Sequence, residues 1–127
     1  MNFMNIFWYN CRGKMKIESY SFGKMVYGGQ TYTSDLIIYP DRVDASWWRQ
    51  QGHLLQMMDL EEILKENPHI LIIGTGYMGV MKVPAPLKKH LKNKGIELHV
   101  ERSGKAVKLF NSVDKTKKVI AAFHLTC

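Results

Sequence analysis

The sharpest chemical spacing in the chain is Gly74-Thr75-Gly76-Tyr77-Met78-Gly79, which fits G-x-G-x-x-G and follows the apolar run His69–Gly74. In a dinucleotide site such glycines permit a tight turn and let backbone N–H groups approach a pyrophosphate at a helix N-terminus. Glu97 and Glu101 stand roughly 20 residues on, where an acid that holds a ribose is expected. Two features oppose that reading. A helix should open inside the motif, yet Val80-Met81-Lys82-Val83 leads straight to Pro84 and Pro86, which bar a long helix there. A chain of 127 residues also lacks room for the remaining strands of a dinucleotide domain. The turn therefore reads as a loop leaving a central strand, with an anion held by its amides as the alternative. Ligands of α/β sheets lie outside the carboxyl ends of parallel strands. The candidate binding set is accordingly Gly74, Thr75, Gly76 and Tyr77, joined by Arg102 and Ser103 from the next strand end and by Asn111.

A second feature is Trp47-Trp48-Arg49. Adjacent tryptophans in an extended segment face opposite ways, so one is expected in the core and the other at a groove or interface. These three residues are the interaction candidates. Other chemistry finds less support. His53, His69, His90, His99 and His124 show no metal-ligand spacing with cysteines or carboxylates, so no metal is expected. No serine sits in a nucleophile elbow, and Cys127 has no base or electropositive pocket visible in the sequence. No catalytic residue is assigned and no cofactor is expected.

Charge is unevenly placed. Residues 1–81 carry seven basic and eight acidic side chains, whereas residues 82–127 carry eleven and three, so the whole +7 excess lies in the last third. Such asymmetry can mark an anionic partner. Yet Lys88, Lys89, Lys92 and Lys94 crowd one short helix, where lysines complement the macrodipole and keep an outer face wet. The region matches no RNA- or DNA-binding motif and has no interleaved aromatics beyond Phe110, so nucleic acid is not an expected partner.

The elements that must position these residues follow from pattern. With 46% hydrophobic and 23% charged residues, the chain has the balance of one globular domain. Residues 1–14 read as a loosely held extension, and the domain as 15–127. Cys11 and Cys127 are too few for a disulfide framework, which suggests free thiols in a reducing compartment such as the cytoplasm. No apolar run approaches a membrane span. Lys16–Tyr27 predicts a strand broken at Gly23 and then continuing, Gly28-Gly29 a two-residue hairpin turn, and Gln30–Tyr32 its return. Asp35–Tyr39 predicts a strand closed at Pro40-Asp41, and 46–58 a loop. Asp59 is expected to cap a short helix that Asn67-Pro68 stops. His69–Gly74 predicts a central strand, Pro86–Asn93 a helix, and Ile96–Glu101 a strand. Ser103 is expected to cap a third helix with Ala106, Val107, Phe110 and Val113 on its apolar stripe. Lys117–Leu125 predicts the last strand, its small Ala121 and Ala122 accommodating a closely packed helix. The class is α/β in a single domain: a central, mixed but mostly parallel sheet with right-handed crossovers and an N-terminal antiparallel hairpin beside or over it.

Several pieces, in their order and spacing, resemble the Mth-type domain of the adipogenesis-associated Mth-domain-containing proteins. They are Ile17–Gly23, Trp47-Trp48-Arg49, Ile72–Gly76, Lys82-Val83-Pro84, Gly95-Ile96, Ala106–Asn111 and the distinctive closing Ala121–Cys127 with its Phe-His-x-Thr-Cys. The likeness runs from about Met15 to Cys127. It implies three layers, with a central mixed sheet, helices on one side and a β-plus-α layer on the other. It implies no established activity for the family as a whole. One branch is linked to fat-cell differentiation in the cytosol, and a more distant one resembles a mitochondrial assembly factor for respiratory complex I. This chain has Arg102-Ser103 where much of the wider family shows threonine, which adds a positive charge beside the glycine turn if the two loops meet. The combined expectation is a non-enzymatic domain acting through protein contacts. A small anion- or metabolite-binding role for the Gly74–Gly79 turn is the alternative, followed by nucleic-acid binding through the basic third.

Overall fold

The computed structural model describes residues 16–127; the predicted extension and Cys11 lie outside them. The first three strands, β1 (Ile17–Ser21), β2 (Lys24–Tyr27) and β3 (Gln30–Tyr32), form an antiparallel meander. Gly28 and Gly29 take φ of +59° and +76°, the left-handed pair that a two-residue hairpin requires. At Gly23 the chain does not continue as one strand. Its φ of +74° closes a second hairpin, so β2 runs back along β1.

The second sheet contains β4 (Leu36–Ile38), β5 (Val43–Asp44), β6 (Ile70–Thr75), β7 (Glu97–Glu101) and β8 (Val119–His124), in the order β5-β4-β8-β6-β7. Strands β8, β6 and β7 are parallel, and β4 joins β8 antiparallel. The expected mixed sheet is present, with the short edge strand β5 in addition. Helix α1 (Glu61–Lys65) follows a 3₁₀ turn at Met57–Leu60; α2 (Ala85–Asn93) and α3 (Ser103–Ser112) cross between parallel strands.

Why three layers form is visible in the period-two alternation of the buried strands. Ile70 and Ile72 of β6, Ala121 and Phe123 of β8, and Leu36 and Ile38 of β4 face one core with Ile17, Met25 and Tyr27 of the meander and Ala106 and Phe110 of α3. Leu71, Ile73, Ile120, Ala122 and Ile37 face the other core, with Ile63 of α1 and Leu91 of α2. All six residues of β6 are buried, as a strand covered on both faces must be. Asn111 fastens the meander to α3: its Oδ1 accepts the Ile17 N–H at 2.8 Å and its amide donates to Ile17 O at 3.0 Å.

Two caps differ from expectation. Asp59 is not an N-cap; its carboxylate accepts the backbone N–H of Gln56, three residues earlier, within a capping box. Ser103 opens α3 but does not cap it, because its hydroxyl is engaged elsewhere, as described below. No helix among the described residues is long and apolar enough to cross a membrane.

Candidate functional site

The carboxyl ends of β6, β7 and β8 gather at one edge, and the glycine turn leaves there. Gly76 and Gly79 take φ of +110° and +72°. The turn's amides are nearly all paired within the chain. Gly76 N–H donates to Ser103 Oγ at 2.9 Å. Tyr77 N–H donates to Thr126 O, Met78 and Val80 N–H to Cys127 O, Gly79 N–H to Gly76 O and Met81 N–H to Thr75 O. A phosphate cradle depends on such N–H groups pointing at the ligand; here the segment Thr126-Cys127 takes that place. No helix opens in the motif, and α2 begins only at Ala85, with Pro84 as its N-cap and Pro86 in its first turn.

The two loops do meet. Ser103 N–H donates to Gly76 O, Ser103 Oγ donates to His124 O at 2.5 Å, and Thr75 Oγ1 donates to Glu101 O. Arg102 lies against Gly79, where an added Cβ would stand 3.0 Å from Arg102 Cγ. Asn111 is not part of this gathering, since both ends of its amide are taken by Ile17. Tyr77 is exposed and packs edge-on to Phe22, with ring centroids 5.9 Å apart.

The tryptophan pair divides as its spacing predicts. Trp47 is 6% exposed and Trp48 75%. Trp47 Nε1 donates to Asp59 O at 3.1 Å, which leaves its indole N–H satisfied inside the core. Trp48 stands at a groove whose floor includes Ile37 and Trp47 and whose rim carries Asp44, Asp59, Glu61 and Glu62 beside the exposed Met58. Lys65 pairs with Glu62 at 3.1 Å, both largely exposed, so that pair contributes little.

Arg49 turns the other way, and with it appears a cluster that sequence reasoning missed. Its guanidinium lies 4.6 Å from the Trp47 ring centroid and reaches Asp35 just before β4 and His124 at the end of β8. Arg49 Nη2 stands 2.7 Å from Asp35 Oδ2, and His124 Nδ1 stands 2.7 Å from the same oxygen. Asp35 Oδ1 accepts the Leu125 N–H at 2.8 Å. Burial opposes ionisation of Asp35. The hydrogen bonds from His124, Leu125 and Arg49, with the His124 charge, outweigh it and hold the carboxyl down at about 2.

The tautomer of His124 follows from counting hydrogens. Arg49 Nη2 has two, directed to Asp35 Oδ2 and to Gly52 O at 3.1 Å. His124 Nδ1, 3.1 Å from Nη2, must then carry its own proton to the ionised Asp35, because a bare nitrogen at 2.7 Å would repel the carboxylate. In the neutral ring Nε2 is left with its lone pair. Arg49 Nη1 and His124 Nε2 are both buried with no hydrogen-bond partner among the described residues. The His53 ring meets the His124 ring edge-on at 5.6 Å. One signal for this cluster was in the sequence: Asp35 and His124 are the polar ends of the apolar runs Leu36–Tyr39 and Val119–Phe123. Their pairing across 89 positions left no trace in local pattern.

Comparison with known proteins agrees with this architecture. A family model described as "Protein of unknown function (DUF498/DUF598)" matches residues 17–124. The conserved hypothetical protein PH1505 from Pyrococcus horikoshii OT3 is 28% identical, with a TM-score of 0.75 over 89% of this chain and 100% of that one. A structure described as MT938 is 25% identical, with a TM-score of 0.73 over 89% and 99%. A protein from Bordetella pertussis, described as a Mth938-like domain, is 15% identical, with a TM-score of 0.63 over 89% and 87%; at that identity the likeness concerns the fold alone.

Proposed function

We propose that this chain, which belongs to the DUF498/DUF598 family and has the Mth938-like fold, is a non-enzymatic docking domain whose Trp48 face receives a basic segment of a partner protein. The observation that carries this reading is the exposed Trp48 beside four carboxylates. An indole ring with carboxylates around it suits lysine or arginine, which gain cation–π contact and ion pairing together. The +7 excess lies in residues 82–127, so the acidic groove attracts a cationic segment that the basic last third repels. The Mth-type resemblance supports the same kind of role, because the branch roles it implies are protein contacts rather than turnover.

Fluorescence anisotropy with a labelled Lys/Arg-rich peptide tests it. Binding is expected to weaken with salt. Trp48→Ala is expected to cost about 2 kcal/mol of affinity, roughly 30-fold. The same change should alter folding stability by no more than about 0.5 kcal/mol, because the side chain is outside the core. A Glu-rich peptide of equal length should bind in a Trp48-independent manner or not at all. Equal binding of the basic peptide by the Trp48→Ala variant would end the proposal.

A further inference from the structure

We propose a small-molecule site separate from the Trp48 face: the cavity beneath the turn between α3 and β8 binds a single-ring aromatic carboxylate, its ring against Tyr27 and Phe110 and its carboxylate on Lys115. The cavity measures about 140 Å³ and lies at the amino end of β8, the opposite end of the parallel strands from the glycine turn. Four elements wall it: Tyr27 ends β2, Ile38 ends β4, Phe110 lies on α3 and Val119 opens β8. All four are buried members of the first core. The turn 115–118 forms the mouth, where Thr116 and Lys117 are exposed, so the way in from solvent passes between lysines. An apolar cavity of about 150 Å³ takes up a benzene-sized molecule. The Tyr27 and Phe110 rings meet edge-on with centroids 6.0 Å apart, an arrangement that a third ring can extend.

Lys115 selects the charge. It is half-buried at the mouth, and its ammonium stands 4.3 Å from the Phe110 ring centroid. The ammonium donates to Phe110 O and Val113 O. A lysine ammonium has three hydrogens, so one remains to give. No carboxylate pairs with Lys115 among the described residues, and residues 1–15 contain no Asp or Glu. The neighbouring Asp114 is held by Thr116, whose N–H and Oγ1 donate to its Oδ1 at 2.9 and 2.7 Å. The other two lysines of the mouth have acids beside them: Glu66 stands 3.6 Å from Lys118, and Lys117 lies near Glu97 and Asp114. Lys115 instead has Lys16 nearby, and burial, joined by that like charge, holds its ammonium below the ordinary lysine range. A carboxylate supplies the missing counter-ion through a charge-assisted bond to the remaining hydrogen. Inorganic phosphate fits poorly, because its other oxygens would meet the apolar walls without donors.

The experiment titrates the full chain with sodium benzoate and follows the backbone amides by NMR. Saturable binding in the millimolar range is expected, with the largest shifts at Tyr27, Ile38, Phe110 and residues 115–119 and none at the Trp48 indole. Benzyl alcohol keeps the ring without the charge and should bind about tenfold more weakly. Sodium acetate keeps the charge without the ring and should give no saturable shift at these amides over the same concentrations. Lys115→Met should weaken benzoate about tenfold, to the level of benzyl alcohol. If that variant does not fold, the comparison of the three compounds on the unsubstituted chain decides alone. Benzoate shifts that do not saturate or that fall outside the cavity, equal binding of benzyl alcohol, or an equal response to acetate would each overturn the assignment.

Discussion

Replacing Asp35 by alanine is expected to lower folding stability by about 3–5 kcal/mol, the largest effect predicted for any single polar side chain. The carboxylate gathers three donors from distant parts of the chain: the Arg49 guanidinium, the His124 imidazole and the Leu125 N–H. With the side chain gone, a permanently charged Arg49, 4% exposed, has lost its counter-ion. Urea unfolding measures the loss directly. A thermal midpoint falling by about 4 °C per kcal/mol is the parallel readout for a domain of this size. The same carboxylate sets an acid response whose sign is fixed by its value. Asp35 titrates at about 2 in the folded chain, against 3.8 ordinarily, so the folded form binds fewer protons. Its contribution, about 2 kcal/mol, is complete above the ordinary value and is lost as pH falls through about 2. Glu66, Glu97 and Asp114 are also held low, but they lie on the surface and remain in every variant. Stability of the Asp35→Asn variant, followed over the same range, should therefore lack the step that the unsubstituted chain shows below about pH 4. Parallel curves would mean that the three donors do not stabilise the ionised carboxylate.

Asp35 also marks where sequence reasoning runs out. The strands β4, β6 and β8 were legible because burial on both faces leaves continuous apolar runs, and their ends fell within a residue or two of the pattern. Gly28-Gly29 announced its hairpin, since two glycines supply the positive φ that both turn positions require. Gly23 was harder: a single left-handed glycine also fits a bulge, and only pairing with β2 makes it a reversal. Ser103 looked like a cap because serine before an amphipathic run usually is one; here the Gly76 amide and the His124 carbonyl compete for the hydroxyl and win. The glycine turn and Arg102-Ser103 were placed together correctly by the rule that parallel strands share a carboxyl edge. What the turn's amides bind was not legible, because their acceptors come from Thr126 and Cys127, brought alongside only by the register of β8. Trp47 and Trp48 could be divided from their adjacency alone. Arg49, the third member, turns inward to residues that no spacing connects to it.

Gly76 is expected to tolerate substitution far less than Gly95, although both take positive φ, +110° and +82°. Adding a methyl group at Gly95 meets nothing within 4 Å, so Gly95→Ala should cost only the left-handed strain, about 1 kcal/mol. The same methyl group at Gly76 would stand 2.5 Å from both the Cys127 carbonyl carbon and Thr126 O. Both are backbone atoms, and neither can yield without moving the segment that receives the Tyr77, Met78 and Val80 amides. Gly76→Ala therefore combines the strain with loss of up to three hydrogen bonds at about 1 kcal/mol each, for a total of roughly 3–4 kcal/mol. Denaturant unfolding of the two variants gives the difference. Amide exchange locates it, with Tyr77, Met78 and Val80 losing protection in Gly76→Ala while β6 amides from Ile70 to Ile73 keep theirs. Equal costs for the two variants would show that Gly76 is required for its backbone conformation alone. The close seating of Thr126-Cys127 against the turn would then contribute nothing, and those amides would again be open to a ligand.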